Sequence, residues 1–176
     1  MRLFTAIPLP KEVKDQVTEI TRGRLPIPYI NTSTLHITLN FFGELSDAEV
    51  GKIKSHFNRL IIDQASFEVE FASIIRFHNQ LHMTVKPNPS LAKLQAELEQ
   101  EFKHLGFHFQ ERPYYAHVKL GNLHMDNIMN RERKMENFPN HELARLKFRA
   151  DKVVLFESKL LLHHPKHISL MEQALL

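Results

Sequence analysis

Two histidines occupy the centres of two similar segments that lie far apart in the chain. His36 lies in Leu-His-Ile-Thr-Leu and His117 in Ala-His-Val-Lys-Leu, and each segment continues into a glycine turn. Side chains alternate between the faces of a β-strand, so each histidine shares its face with the polar residue two positions on, Thr38 or Lys119. Two imidazoles that line one cleft can act as general acid and general base. The alternative is two exposed histidines on half-solvated strands.

The elements that carry these histidines alternate along the chain. Ser46 and Glu49 have the spacing of a capping box, and apolar residues follow at helical intervals. The helices are predicted to begin at Pro10, Ser46 and Asn88, with a weaker one over Asp126–Phe138. The strands are predicted at Leu3–Pro8, Leu35–Phe42, Phe67–Phe71, Leu81–Val85, Tyr114–Gly121, Lys147–Glu157 and Lys166–Met171.

Composition limits the class of protein. The 176 residues suit one domain, and 43% hydrophobic with 24% charged residues is ordinary for a soluble globular chain. The absence of cysteine excludes disulfides, a thiolate nucleophile and cysteine-based zinc sites. A net charge of +3 favours anionic partners without proving them. With no targeting segment and no apolar run of about 20 residues, we expect a cytoplasmic protein that does not enter the membrane.

Other histidines compete for a chemical role. His82 is also followed by a threonine two positions on, Thr84, but its strand lacks the glycine turn that follows the other two histidines. We therefore favour His117 as the second catalytic histidine. We expect the loss of His82 to cost little activity. His163, His164 and His167 surround Pro165, which predicts a solvated turn rather than a metal site, because zinc needs three or four converging ligands. We therefore predict no metal and no cofactor.

Taken in order, these segments resemble a known family, the two-histidine (2H) phosphoesterases, also called LigT-like RNA 2′,3′-cyclic phosphodiesterases or 2′-5′ RNA ligases. The resemblance covers nearly the whole chain. It is carried by the opening strand Arg2–Pro10, by His36–Leu39 with the following Phe41–Glu44, and by the closing segment Val153–Leu160. A lone His-x-Thr motif is weak evidence, but in this order and with these flanks the match is more specific.

The resemblance implies a fold and an activity. The fold is α+β and bilobal, with two antiparallel sheets around a central groove, helices outside, and one domain of two pseudo-symmetric lobes over residues 1–176. The activity is metal-independent hydrolysis of 2′,3′-cyclic phosphates at RNA or oligonucleotide 3′ ends to 2′-phosphates, by a monomer. The different-class alternative is an RNA-end-binding protein of the same fold in which catalysis is weak or lost.

The resemblance also implies residue roles. His36 donates a proton to the leaving 3′ oxygen, His117 accepts a proton from water, and Thr38 binds the phosphate. Phe4 and Phe41 match positions where an aromatic ring stacks on a terminal base, although alternation predicts that Phe41 lies on the core face.

The second motif departs from the family pattern. Lys119 replaces a threonine, Ala116 a common proline, and Asn122 a frequent arginine. The Lys119 cation can bind phosphate directly, and it lowers the pKa of a neighbouring histidine because like charges disfavour protonation. The competing interpretation is a decayed motif, in which activity is weak, altered or absent. Two basic clusters occur late in the chain. One consists of Arg145, Lys147 and Arg149, and the other of Arg131, Arg133 and Lys134. Each predicts either a surface that binds the RNA phosphate backbone or a solvated face.

Overall fold

The computed structural model describes residues 1–123, 135–162 and 164–176. Their helices include α1 (Lys11–Thr21), α2 (Asp47–Ile61), α3 (Pro89–His104) and α4 (Asn140–Leu143). Their strands are β1 (Arg2–Pro8), β2 (His36–Glu44), β3 (Phe67–Phe77), β4 (Gln80–Val85), β5 (His117–Asn122), β6 (Lys147–Ala150), β7 (Lys152–Leu160) and β8 (Pro165–Ala174). Most of the predicted helix over Asp126–Phe138 lies outside the described residues.

Local hydrogen bonds explain where the two longer helices begin. The Ser46 hydroxyl accepts from the Glu49 amide, and the Glu49 carboxylate accepts from the Ser46 amide at 2.8 Å, which completes the predicted capping box of α2. Asn88 caps α3 by accepting from the Leu91 amide, and Pro89 occupies the first turn.

The strands form an antiparallel arrangement in the order β6-β3-β4-β5-β2-β1-β7-β8. It divides into two halves of four strands, β6-β3-β4-β5 and β2-β1-β7-β8. Within the described residues, the halves meet in the β2–β5 pairing, whose register pair is Ile37 with Val118. The α+β class and the antiparallel pairing are therefore as predicted. The described strands form one sheet of eight, in which the two halves take the place of the two predicted sheets.

One predicted strand is divided in the structure. The segment Lys147–Glu157 breaks at Asp151 into β6, which pairs with β3, and β7, which pairs with β1. These neighbours belong to opposite halves. The chain thus crosses from one half to the other at a single residue, whose carbonyl accepts from the Leu175 amide at 2.7 Å.

One face of the inner strands is packed into the core. Ile37 and Val118 are both fully buried, and they belong to one apolar cluster with side chains of α1, α2 and α3. His36 and His117, which begin β2 and β5, occupy the opposite face and are half-buried. We call this opposite face the groove face.

A bulge in β2 changes which side chains reach the groove face. Ala6 pairs with Thr38 and Thr5 with Asn40, so the intervening Leu39 has no partner on β1. The bulge reverses the alternation beyond it. Asn40 turns to the buried face, and Phe41 turns outward.

The outward turn of Phe41 corrects the sequence analysis. Its ring is 45% exposed, whereas alternation placed it in the core. The core position passes to its neighbour Phe42, whose ring lies 4.9–5.5 Å from those of Phe102, Phe107 and Phe109.

Candidate active site

The pairing of the inner strands brings the predicted motif residues together. In an antiparallel pair, the residues that flank Ile37 and Val118 lie across from one another, which sets His36 opposite Lys119 and Thr38 opposite His117. Residues that are diagonal in such a pair lie roughly 7–8 Å apart, with their Cβ atoms somewhat closer. The two histidines are therefore near neighbours on the groove face.

Two hydrogen bonds orient His36. Nδ1 lies 2.6 Å from the Thr34 carbonyl oxygen, which can only accept, so Nδ1 carries a proton. Nε2 lies 3.1 Å from the Thr38 hydroxyl, which donates to it when the ring is neutral. Burial, followed by the charge of a protonated His167, lowers the pKa of His36 to about 4. Without a bound anion the ring is therefore neutral at pH 7.

Aromatic rings form the wall beside His36. Phe4 is only 4% exposed, and its ring lies 4.9 Å from the His36 ring and 5.3 Å from the Phe156 ring. The placement of Phe4 therefore supports the orientation of His36 and leaves little surface for a base to stack on.

His167 lies within a strand, as the predicted segment Lys166–Met171 implies, and not in the solvated turn that Pro165 suggested. It lies within β8 opposite Ser158, because the strand begins immediately after the turn, at Pro165. Its ring meets those of Phe4 and His36 edge-on, at 4.9 and 5.1 Å. His164 is exposed, and His163 lies outside the described residues.

His117 is also held as one tautomer. Nδ1 lies 2.9 Å from the Tyr115 carbonyl oxygen, which accepts its proton and leaves Nε2 as the nitrogen with a lone pair. Burial lowers the pKa of His117, the charges of Arg112 and Lys119 lower it further, and the Tyr115 carbonyl opposes them. The predicted effect of Lys119 is thus present, although burial is the larger cause.

Lys119 and Thr38 approach the groove from different strands. Lys119 is exposed, but neighbouring groups shield part of its side chain, and this desolvation lowers the pKa of its ammonium group. The carbonyl of Thr38 accepts from the Tyr114 hydroxyl at 2.8 Å. That bond ties β2 to the segment preceding β5, and so helps to hold the two motifs together.

His82 is the residue whose position the sequence analysis undervalued. It is 2% exposed, and its ring stacks on that of His117 with centroids 4.0 Å apart and planes 16° apart. The contact arises because β4 pairs with β5, with His82 opposite Lys119 and Thr84 opposite His117. The His-Met-Thr segment was the signal in the sequence that could have indicated a role for His82. Local spacing could not show that its strand, β4, pairs with β5.

Other predicted features have ordinary surroundings. Lys147 lies 3.4 Å from Glu68, and Arg149 donates to the Ser66 hydroxyl, so these β6 cations lie on a solvated face with local partners. The cluster Arg131, Arg133 and Lys134 lies outside the described residues.

Within residues 1–123, 135–162 and 164–176, no three His, Cys, Asp or Glu side chains converge as metal ligands. No helix in this part of the chain has the length and apolar character to cross a bilayer.

Comparison of the sequence identifies relatives with a common name. An RNA 2′,3′-cyclic phosphodiesterase of Thermotoga maritima is 28% identical over 130 residues, 69% of each chain. A protein of the same name from Methanocaldococcus jannaschii is 26% identical over 167 residues, 91% of this chain and 92% of that one.

Solved structures show the same fold. The protein TT0787 of Thermus thermophilus superposes with a TM-score of 0.80 at 21% identity, covering 99% of this chain and 98% of that one. E. coli LigT complexed with 3′-AMP superposes with a TM-score of 0.79 at 20% identity, covering 99% and 97%. The family model of the 2′-5′ RNA ligase superfamily matches residues 9–162. The chain therefore belongs to the 2′-5′ RNA ligase superfamily.

Proposed function

We propose that this protein hydrolyses 2′,3′-cyclic phosphates at RNA 3′ ends to 2′-phosphates, with His36 as proton donor and His117 as proton acceptor. The observation that carries the proposal is the Ile37–Val118 pairing, which faces both motifs into one groove. Relatives named RNA 2′,3′-cyclic phosphodiesterase support the same substrate class.

The proposed step uses one nitrogen of each ring. His117 Nε2 takes a proton from water, whose oxygen attacks the phosphorus of the cyclic phosphate. The bond between phosphorus and O3′ breaks, and His36 Nε2–H gives its proton to O3′. The products are a 3′-hydroxyl and a 2′-phosphate. The rings then exchange protons with solvent to restore the starting state.

The step requires protonated His36, whereas the ring is neutral at pH 7 when no anion is bound. An anionic phosphate bound against the ring favours the imidazolium and opposes the burial that lowers its pKa. The substrate itself therefore brings His36 into its acid form. The Nδ1–H bond to the Thr34 carbonyl is available in both protonation states, so the ring keeps its orientation through the cycle.

Two side chains can hold the phosphate oxygens between the histidines. The Thr38 hydroxyl lies 3.1 Å from His36 Nε2, so an oxygen bound by Thr38 lies within reach of the acid. Lys119, across from His36, supplies a positive charge where the resemblance implies a neutral hydroxyl. This cation can stabilise the charge that builds up on the phosphate as water attacks.

Phe41 offers a stacking surface for an upstream base. It pairs with Phe4, whose ring contacts His36, so both belong to the groove face. The Arg2 guanidinium lies 4.9 Å from the centre of the Phe41 ring, where it can also meet a backbone phosphate. Five strand positions separate Phe41 from His36, roughly 16 Å, which favours a nucleotide upstream of the terminal one.

The second candidate is an RNA-end-binding protein without turnover. The observation that favours it is the second motif, where Lys119 stands in place of the threonine that the resemblance implies. An oligonucleotide ending in a 2′,3′-cyclic phosphate, incubated with the protein in EDTA, separates the two. Hydrolysis adds the mass of one water and yields a 2′-phosphate that co-elutes with a standard. Binding without this product contradicts the proposed hydrolysis.

A further inference from the structure

His82 lies against the proposed base, yet the step above does not use it. Its ring stacks on His117 at 4.0 Å and on Phe77 at 5.2 Å, with 2% of the residue exposed. Because it is buried, it cannot touch the phosphate directly. Any effect of His82 on the reaction must therefore act through the His117 ring, which it covers.

The hydrogen bonds of His82 show which form it takes. Nε2 lies 2.8 Å from the Gln80 side-chain oxygen, an acceptor, so Nε2 carries a proton. Nδ1 is buried and has no hydrogen-bond partner among the described residues. A second proton on Nδ1 would bury a charged N–H without an acceptor, beside the Lys119 cation. His82 is therefore a neutral ring.

A neutral flat ring constrains His117 in two ways. It excludes water from one face of the imidazole, which disfavours the charged form, and it limits rotation of the ring about its axis. The Tyr115 carbonyl then fixes Nδ1–H, so Nε2 remains directed away from this bond. The titratable or charged groups that surround His117 are His82 from β4, His36 from β2, and Lys119, Arg112 and Tyr115 from its own segment.

We propose that His82 is a positioning residue for His117: its neutral ring covers one face of the proposed base and fixes the direction of Nε2. The inference deepens the proposed function and rests on it for the catalytic meaning of His117. It replaces the expectation, from sequence alone, that the loss of His82 costs little.

The test compares two substitutions with different ring content. His82→Ala uncovers His117, whereas His82→Phe keeps a flat ring and removes both nitrogens. His104→Ala, on the exposed surface of α3, is the matched control. The NMR titration of His117 is followed in each unliganded protein, together with kcat and KM for a 2′,3′-cyclic phosphate. If His82→Ala does not fold, His82→Leu, which keeps the volume without the flat ring, takes its place.

In His82→Ala we expect the pKa of His117 to rise toward its ordinary value of about 6.5, and kcat to fall about tenfold with KM changed less than about threefold. His82→Phe should restore most of the lowered pKa of His117 and most of kcat. His104→Ala should match the wild type in both quantities. An unchanged His117 titration in His82→Ala overturns the proposal, as does a His82→Phe variant that is equally impaired. The titration needs no turnover, so an inactive wild type contradicts the proposed function without deciding the role of His82.

Discussion

Ile37 and Val118 pair across the two inner strands and thereby join the two halves of the sheet. Both side chains are fully buried in the core, so their neighbours His36 and His117 must face the groove. The apolar pair thus sets the spacing of the proposed acid and base without contacting substrate.

The first prediction concerns the two histidines. His36→Ala and His117→Ala should each lower kcat by about 10²–10⁴, because each removes one proton transfer from the proposed step. The measurement is steady-state hydrolysis of a 2′,3′-cyclic nucleotide. His104→Ala, on the exposed surface of α3, serves as the control and should retain full activity. Turnover that survives the loss of His117 but not of His82 would show that the pairing is wrong.

The second prediction concerns pH and rate. The rate should follow a bell-shaped profile, since one imidazole must be charged and the other neutral. The limbs report apparent pKa values of the pair rather than of single residues. Phosphate binding should raise the pKa of His36 above its free value of about 4, visible by NMR titration with and without inorganic phosphate. A His36 titration that phosphate does not move would contradict the proposed route to its acid form.

The third prediction concerns Lys119. Lys119→Met removes a cation near His117, so it should weaken substrate binding and raise the pKa of the basic group in the rate profile. The comparison of KM and pH profile with wild type measures both effects. Lys93→Met, at an exposed position of α3, is the matched control.

Lys119→Thr separates two interpretations of the altered motif. If Lys119 is an adapted substitute, the change should leave turnover similar or lower. If the site has lost activity by this replacement, the threonine should raise turnover substantially. Neutral behaviour of both Lys119 variants would contradict each interpretation.

The fourth prediction concerns RNA length. Phe41→Ala should weaken binding of an oligonucleotide by about 1–3 kcal/mol, the contribution of one stacked base. A mononucleotide 2′,3′-cyclic phosphate has no upstream base and should be unaffected. The KM values for the two substrates give the answer, and an equal effect on both would place Phe41 at the terminal nucleotide instead.

The fifth prediction concerns stability in acid. The unfolded chain protonates His82 near pH 6.5, whereas the folded chain resists until about pH 4, so the unfolded state binds more protons between these values. The stability that comes from the neutral His82 ring is therefore complete above about pH 6.5 and is lost as the pH falls toward 4. Urea unfolding at pH 7 and pH 4.5 measures the loss. The loss should shrink in His82→Phe, and an identical loss in that variant would exclude His82 as its source.

The amino-acid sequence by itself determined most of the elements and the strand face of each motif histidine. The alternation around Ile37 and Val118 correctly placed His36 and His117 opposite the core, because alternation depends only on neighbouring residues. The capping box of Ser46 and Glu49 was equally local, since both hydrogen bonds join residues three positions apart.

Only the tertiary structure decided what surrounds the two histidines. Phe41 faces outward because a bulge forms where β1 pairs with β2, and a bulge is a property of the pair. His82 and His167 reach His117 and His36 because strands distant in sequence lie side by side or curl toward one groove. Such contacts depend on strand order and register. The local spacing of residues indicates neither strand order nor register, because the residues that meet are far apart in the chain.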